Sequence, residues 1–205
     1  MEEFYKRKLP HIQPKGATLF VTFRLAGSLP HAVIEQLKAK RETEIRAATT
    51  DEARYLAERR YFGRFDQQLH QSVGPHYLKQ PALAQIVADS LHYRDKRVYR
   101  LDAFSILSNH AHVVFAPLEK GVNSDGPPQY HKLSKIMQSL KRHTAHECNK
   151  LLSRQGTFWQ AESYDHIVRD EAEWKRIIRY VLDNPVKAGL VSEWQQWPYT
   201  YCRSD

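Results

Sequence analysis

Two histidines, His110 and His112, stand one residue apart at the start of the apolar run HAHVVF. In a β-strand, residues two apart point to the same side, so both imidazoles would share one face. The intervening Ala111, Val113 and Phe115 would form the opposite, core-facing side. The α-carbons of the two histidines would lie about 7 Å apart, which is close enough for both to bind one divalent metal ion. A chance pattern, a buried polar pair and acid–base chemistry are the alternatives.

A second candidate group lies in the segment 170–184, whose apolar residues recur at helical spacing. Asp170 is a suitable N-cap, and Glu173 three residues later resembles a capping box. The apolar positions expected to form the buried stripe of this helix are Trp174, Ile177, Ile178, Val181 and Leu182.

Tyr180 falls outside that stripe, at about 130° from its centre when each residue advances by about 100°. Asn184 follows one turn later and would lie on the same side of the helix as Tyr180. A tyrosine beside an amide oxygen that can bind a hard metal suggests a nucleophile next to a metal site. An exposed tyrosine near the end of a helix is the structural alternative. Tyr164 is a second candidate nucleophile, because it shares a face of an extended segment with His166.

The elements that must position these residues can be predicted from periodicity and turn signals. Residues 97–107 and 110–118 form a β-hairpin with the histidine pair at the start of its second strand, and 17–25 forms another strand. We expect helices over 82–93, 132–152 and 170–184, the last stopped by Pro185, and an extended segment over 157–168. Residues 40–62 are typical of surface helix with a break near ATT, and 65–81 and 123–128 are predicted to be irregular. This order predicts one α+β domain over 1–205 with an antiparallel sheet, a helical insertion near residues 30–80 and a C-terminal tail over 191–205.

The composition indicates a polyanionic partner. The 205 residues carry a net charge of +8 and the pI is about 9.4, as expected for a soluble domain that binds nucleic acid; charge that serves solubility alone is the alternative. We expect no transmembrane helix, because no apolar run approaches about 20 residues. The N-terminus lacks a secretory signal, and two cysteines make neither a metal motif nor a disulfide framework. A cytoplasmic protein is expected.

Together these motifs resemble the HUH single-tyrosine (IS200-like) transposases, and most closely their REP-associated branch. The resemblance rests on HAH at 110–112 and on YVLDNPVKAGLV at 180–191, and it extends over most of residues 15–201. FWQ at 158–160, IVRDEAEW at 167–174, LSKIMQSLK at 133–141 and WPYTY at 197–201 are also similar to that branch. The chain departs from it at LSNHAH, where the branch usually has Met-Pro-Asn before the first histidine, and in the length of residues 40–80.

The resemblance implies a ferredoxin-like HUH fold and a metal-dependent transesterase that cleaves single-stranded DNA beside REP-like hairpins. It implies Tyr180 as the nucleophile that forms a 5′-phosphotyrosine, and His110, His112 and Asn184 as ligands of Mg²⁺ or Mn²⁺. The protein would act as a monomer or a homodimer. A domesticated hairpin-binding protein without cleavage, a replication initiator or relaxase, and a metal hydrolase unrelated to nucleic acid are the alternatives.

Several residues outside the metal site are candidates for DNA contacts. Basic side chains that could contact phosphates are Lys132, Lys135, Arg142, Arg176 and Lys187. Phe158 and Trp159 could stack on unpaired bases, or they could belong to the core. The basic stripe on helix 132–152 could also be an ordinary solvated helix face.

Overall fold

The chain has an α+β fold built on a five-stranded antiparallel sheet, in a computed structural model that describes residues 16–121 and 128–204. The strands are β1 (Leu19–Arg24), β2 (Tyr99–Ile106), β3 (His110–Pro117), β4 (Tyr164–Ile167) and β5 (Thr200–Cys202), in the order β4-β1-β3-β2-β5. The helices are α1 (His31–Ala47), α2 (Asp51–His70), α3 (Pro81–Arg94), α4 (Leu133–Leu151) and α5 (Glu171–Lys187). The predicted fold class is confirmed. Within the described ranges, no helix is long and apolar enough to cross a membrane.

The main core lies on one face of the sheet, under α3 and α4. Alternate residues of the central strands point into it, including Val21 and Phe23 of β1. Ala111, Val113 and Phe115 of β3 point the same way, as their alternation with the histidines predicted. Removing these side chains from water supplies much of the stability of the fold.

A smaller apolar cluster lies on the opposite face of the sheet, under α2 and α5. It combines Phe20 and Val114 of the sheet with Phe62 of α2 and with Ile178 and Val181 of α5. The two histidines point to this face. The sheet therefore separates α3 and α4 from the histidine pair.

The predicted helical insertion is the antiparallel pair α1 and α2, which follows β1. Its break lies at residues 48–50, where the Thr50 side chain caps α2 by accepting a hydrogen bond from the Ala53 N–H. Helix α2 continues to His70, so the prediction that 65–81 is irregular was wrong at its beginning. Phe62, Asp66 and Leu69 are buried at helical spacing, and the Gly74-Pro75 turn comes only after the helix has ended.

The C-terminal region differs from the prediction in two ways. Helix α5 passes through Pro185 and ends two residues later, where Gly189 takes a positive φ of 67° and the Leu190 N–H binds the Pro185 carbonyl. Proline removes one helical hydrogen bond, and that loss is tolerated because it falls in the last turn. The predicted tail contains β5, which pairs with β2 at the edge of the sheet. Only Tyr164–Ile167 of the extended segment 157–168 forms a named strand, and most of the loop predicted at 123–128 lies outside the described residues.

Candidate active site

The two histidines lie buried at the centre of the sheet, on the face covered by α2 and α5. His110 is 1% exposed and His112 is fully buried. Their Nε2 atoms are 3.2 Å apart, and their cross-strand neighbours on β1 are Arg24 and Thr22. The strand geometry therefore brings the imidazoles together as the His-x-His spacing predicted.

Asn109 fixes the tautomer of His110. The Asn109 Nδ2 donates to the Leu69 carbonyl at 2.9 Å, which turns its Oδ1 toward the His110 Nδ1 at 2.6 Å. Because an amide oxygen only accepts, the proton of neutral His110 lies on Nδ1 and the Nε2 lone pair points into the site. Burial lowers the pKa of His110 to about 4, against the opposing effect of Asp66, so this imidazole is neutral at pH 7.

Thr22 orients the ring of His112. Its Oγ1 lies 2.7 Å from the His112 Nδ1, which leaves the Nε2 of this ring also facing the site. Asn109 and Thr22 were not found from the sequence, although Asn109 stands directly before the first histidine.

We predict that Thr22→Val lowers Mn²⁺ affinity by about 10- to 100-fold, because removing the hydroxyl frees the His112 ring to change orientation. Isothermal titration calorimetry with Mn²⁺ measures this loss. Thr144→Val is the matched control, since Thr144 is a fully buried threonine on the other face of the sheet that bonds Leu140 and Trp159. Equal Mn²⁺ affinity in the two variants would contradict the prediction.

Asp66 of α2 is a third member of the site that sequence reasoning did not find. Its Oδ1 lies 3.1 Å from the His112 Nε2 and 3.4 Å from the His110 Nε2, and its Oδ2 lies 3.2 Å from the His70 Nε2. Burial alone would raise the pKa of Asp66, but the surrounding histidines hold it well below its usual range. The carboxylate is therefore ionised. A signal was available, since an aspartate stands where Phe62 and Leu69 define the apolar stripe of a helix.

The three facing donor atoms fit a divalent cation. Ligands bound at about 2.1 Å lie about 3.0 Å apart at right angles and about 3.4 Å apart in a tetrahedron, and the observed separations fall between 3.1 and 3.4 Å. The Asp66 Oδ1 is buried without a hydrogen-bond partner among the described residues. A cation would satisfy this oxygen and bind the Nε2 lone pair of His110 that faces it.

Tyr180 reaches the same site from α5. Its hydroxyl donates a hydrogen bond to the Asp66 Oδ2, and its ring lies 5.6 Å from the His112 ring between centroids. Burial, reinforced by the negative charge of Asp66, raises the pKa of Tyr180. The phenol is protonated here and stays a hydrogen-bond donor.

The face of α5 that is buried is broader than the apolar stripe predicted. Tyr180 is half-buried and packs against Phe20 and Phe62, so the expectation that it lies clear of the packed face was wrong. Asn184 is fully buried one turn later, and neither its Oδ1 nor its Nδ2 has a hydrogen-bond partner in the described part of the chain. A buried amide left without partners is a candidate ligand. Its role at a metal remains a prediction.

Tyr164, the alternative nucleophile, lies at the side of this cluster. Its ring packs on Phe62 at 4.5 Å between centroids, and burial raises the pKa of its hydroxyl. His166, which was expected to assist it, bonds instead to the buried Glu173 at 3.1 Å. His166 is therefore not placed to activate Tyr164, and no other histidine in the described ranges is recorded in contact with its hydroxyl.

The basic stripe predicted for DNA contacts lies on the far side of the sheet. Lys132, Lys135 and Arg142 are exposed on or beside α4. Lys135 and Arg142 line a groove of about 1230 Å³ between α3 and α4. Tyr180, His110 and His112 lie across the sheet from this groove. DNA that contacts both this groove and the histidine pair must therefore pass around an edge of the sheet.

The remaining candidates for DNA contacts separate into two groups. Phe158 and Trp159 are buried in the main core, and Trp159 donates its Nε1–H to Thr144 at 2.8 Å. Their stacking on bases is not supported, since burial keeps both rings from a ligand. Arg176 is exposed beside Tyr55 and Glu173. The Lys187 Nζ lies 4.8 Å from the centre of the Tyr180 ring, which places a cation beside the candidate nucleophile.

Comparison with known proteins identifies the class to which this fold and site are similar. A Haemophilus influenzae protein with the provisional name REP-associated tyrosine transposase is 28% identical over 103 residues, which cover 50% of this chain and 58% of the relative. The REP-associated tyrosine transposase of Escherichia coli strain K12 is 23% identical over 109 residues, which cover 53% of this chain and 58% of the relative. No family model matches the chain.

A solved structure agrees with these relatives at the level of the fold. It is described as a REP-associated tyrosine transposase bound to a REP hairpin, and it matches 95% of this chain and 82% of its own with a TM-score of 0.54 at 15% identity. The resemblance to REP-associated tyrosine transposases is thereby confirmed. The matched region spans little more than half the length of the curated relatives, so activity, substrate and partners are proposals for this chain.

Proposed function

We propose that the protein is a metal-dependent single-strand DNA transesterase of the REP-associated tyrosine transposase type. The observation that carries this proposal is the convergence of His110, His112, Asp66 and Tyr180 on one buried point. Three donor atoms of the kind that bind metals, facing one another beside a tyrosine hydroxyl, add nothing to the packing of a core. The similarity to proteins named as REP-associated tyrosine transposases supports the same activity.

His110, His112 and Asp66 would hold the ion, and the Asn184 amide is a further candidate ligand. The carboxylate and amide oxygens suit Mg²⁺ or Mn²⁺, whereas the two imidazoles would bind Zn²⁺ as well. When bound, the ion would polarise the scissile phosphate and neutralise the charge that develops on it. The contacts that Asn109 and Thr22 make with the Nδ1 atoms keep both imidazoles oriented for this role.

Tyr180 would supply the nucleophile. Its phenolic oxygen bonds to phosphorus while the bond from phosphorus to the 3′-oxygen breaks, which leaves a 5′-phosphotyrosine and a free 3′-hydroxyl. The proton that the phenol loses balances the proton that the leaving 3′-oxygen gains. The covalent intermediate retains the phosphodiester bond energy for transfer to another 3′-end.

The substrate would be single-stranded DNA next to a hairpin. Lys187 beside Tyr180 would contact phosphates near the cut, as would Arg176 on the exposed side of α5. Lys132, Lys135 and Arg142 would contact more distant phosphates across the sheet. The net charge of +8 is consistent with contacts to phosphates both near the cut and further from it.

The test is formation of a covalent protein–DNA adduct with oligonucleotides that carry short inverted repeats, in the presence of Mg²⁺ or Mn²⁺. We expect His110→Ala and His112→Ala each to reduce the adduct to background and to weaken Mn²⁺ binding, with folding retained by circular dichroism. His31→Ala, at an exposed histidine at the start of α1, is the control. Full activity in EDTA, or in either site variant, would rule out a metal-dependent reaction.

The chief rival is a domesticated protein that binds hairpins without cutting them. The intact set of Tyr180, His110, His112 and Asp66 argues against lost catalysis. Tight hairpin binding without an adduct in any divalent metal would favour the rival.

A further inference from the structure

Arg24 is a buried charge on the same face of the sheet as the histidine pair. It ends β1, is 6% exposed, and stands directly opposite His110 in the strand register. Directly opposed residues on one face of antiparallel strands have Cβ atoms about 4.5–5.5 Å apart. Arg24 therefore lies in the wall of the candidate active site.

This guanidinium lacks a carboxylate partner in the part of the chain that the structure describes. Its Nη1 donates to the Ser28 hydroxyl at 3.0 Å, and its Cζ lies 5.9 Å from the centre of the Phe65 ring. Asp66 follows Phe65 on α2, but its oxygens face the histidines and Tyr180 instead.

A cation buried without an anion is costly. Desolvation of one ionised group costs several kcal/mol in a folded protein, and a nearby opposite charge normally offsets that cost. The Ser28 hydroxyl and the distant face of the Phe65 ring offset little of this cost, so the free protein keeps Arg24 at a loss of stability. Arginine remains protonated in such a site and offers several N–H donors in a planar fork.

We propose that Arg24 binds a non-bridging oxygen of the scissile phosphate and so completes the charge balance of the site when DNA is bound. This rests on the proposed function. A phosphodiester carries one negative charge and two non-bridging oxygens, which suits the guanidinium fork. Arg24 would thereby hold the phosphate beside His110, on the side of the site away from α5.

The competing explanation is a structural one, in which Arg24 holds the turn at Gly27–Ser28 through its bond to Ser28. The two explanations predict opposite effects on stability. If Arg24 serves the substrate, Arg24→Met removes an unpaired buried charge and leaves the melting temperature equal or higher. If Arg24 serves the turn, Arg24→Met and Ser28→Ala both lower the melting temperature.

The decisive measurement is binding of two oligonucleotides in EDTA, one natural and one with a neutral methylphosphonate at the scissile linkage. We expect the wild-type protein to bind the natural strand roughly tenfold more tightly, as expected for about one charge-assisted contact. Arg24→Met should bind both strands equally, and its salt dependence should fall by about 0.7 logarithmic units per decade. Arg24→Lys keeps the charge without the fork. This variant should retain part of the discrimination, which is the difference in affinity between the natural and the methylphosphonate strand.

Arg60→Met is the matched control, because it removes one positive charge from an exposed ion pair with Glu44 on the outer side of α2. It should leave the methylphosphonate discrimination unchanged. Unchanged discrimination in Arg24→Met overturns the proposal, as does equal loss in Arg60→Met. If Arg24→Met does not fold, Arg24→Lys decides: undiminished discrimination there overturns the proposal. Because these titrations need no cleavage, an absent adduct in the wild-type protein would refute the proposed function without deciding the role of Arg24.

Discussion

Tyr180→Phe is expected to abolish the covalent protein–DNA adduct while leaving hairpin affinity within about twofold of the wild-type protein. The change removes one oxygen and little packing, because the Tyr180 ring contacts Phe20 and Phe62. Loss of the bond to Asp66 costs about 1–3 kcal/mol of stability, as for other buried polar groups that lose a partner. Denaturing gel electrophoresis of a labelled oligonucleotide measures the adduct, and a gel shift measures the affinity.

Tyr164→Phe is the control, since Tyr164 packs on the same two phenylalanines. It should retain the adduct. Mass spectrometry of the trapped complex locates the modified peptide, and a nucleotide on any residue other than Tyr180 would refute the assignment.

Asp66→Asn is expected to lower Mn²⁺ affinity at least tenfold and to reduce adduct formation by a similar or larger factor. Asparagine preserves the shape of the side chain and can still accept the Tyr180 hydrogen bond, but it removes the negative charge that faces the two Nε2 atoms. Calorimetry with Mn²⁺ separates metal binding from catalysis, and circular dichroism reports whether the helix content of the protein is retained.

Asp102→Asn is the matched control for this change. Asp102 is another buried aspartate, which bonds Arg100 and Trp174 away from the histidines. Asn184→Ala, measured in parallel, asks whether the amide is also a ligand. Wild-type Mn²⁺ affinity in Asp66→Asn, with a loss in Asn184→Ala, would leave the ligand set as the sequence alone predicted it.

Most of the helices and strands could be predicted from local sequence patterns. The hairpin of β2 and β3 and helices α3 and α4 agree with the predicted limits to within two residues at each end, because each has a clear apolar period between turn signals. The end of α2 was missed because its last turn is polar on the outside and its buried side contains Asp66. Strand β5 was missed because three half-buried residues at a sheet edge leave too short an alternation to detect.

The site shows what sequence spacing can and cannot predict. The His-x-His pair and the Tyr180–Asn184 spacing each lie within one element, so strand and helix geometry suffices to find them. Asp66 and Arg24 are brought to the site only by tertiary packing. Asp66 lies 44 residues before His110 in the sequence, and Arg24 lies on the neighbouring strand β1. The apolar spacing of α2 marks Asp66 as a buried aspartate, but periodicity within one element does not show that this aspartate faces the histidines.

Among the hydrogen bonds that join α2 to α5, two link a tyrosine to a buried carboxylate, and they bridge distant parts of the chain. Tyr55 donates to Glu173 near the start of α5, and Tyr180 donates to Asp66 two turns later. A substitution at either residue of a pair leaves the other buried without its hydrogen bond, so we expect the two residues of each pair to change together. We therefore expect the helical insertion and the tyrosine helix to vary together among relatives, and a relative without α2 would need a different partner for its tyrosine.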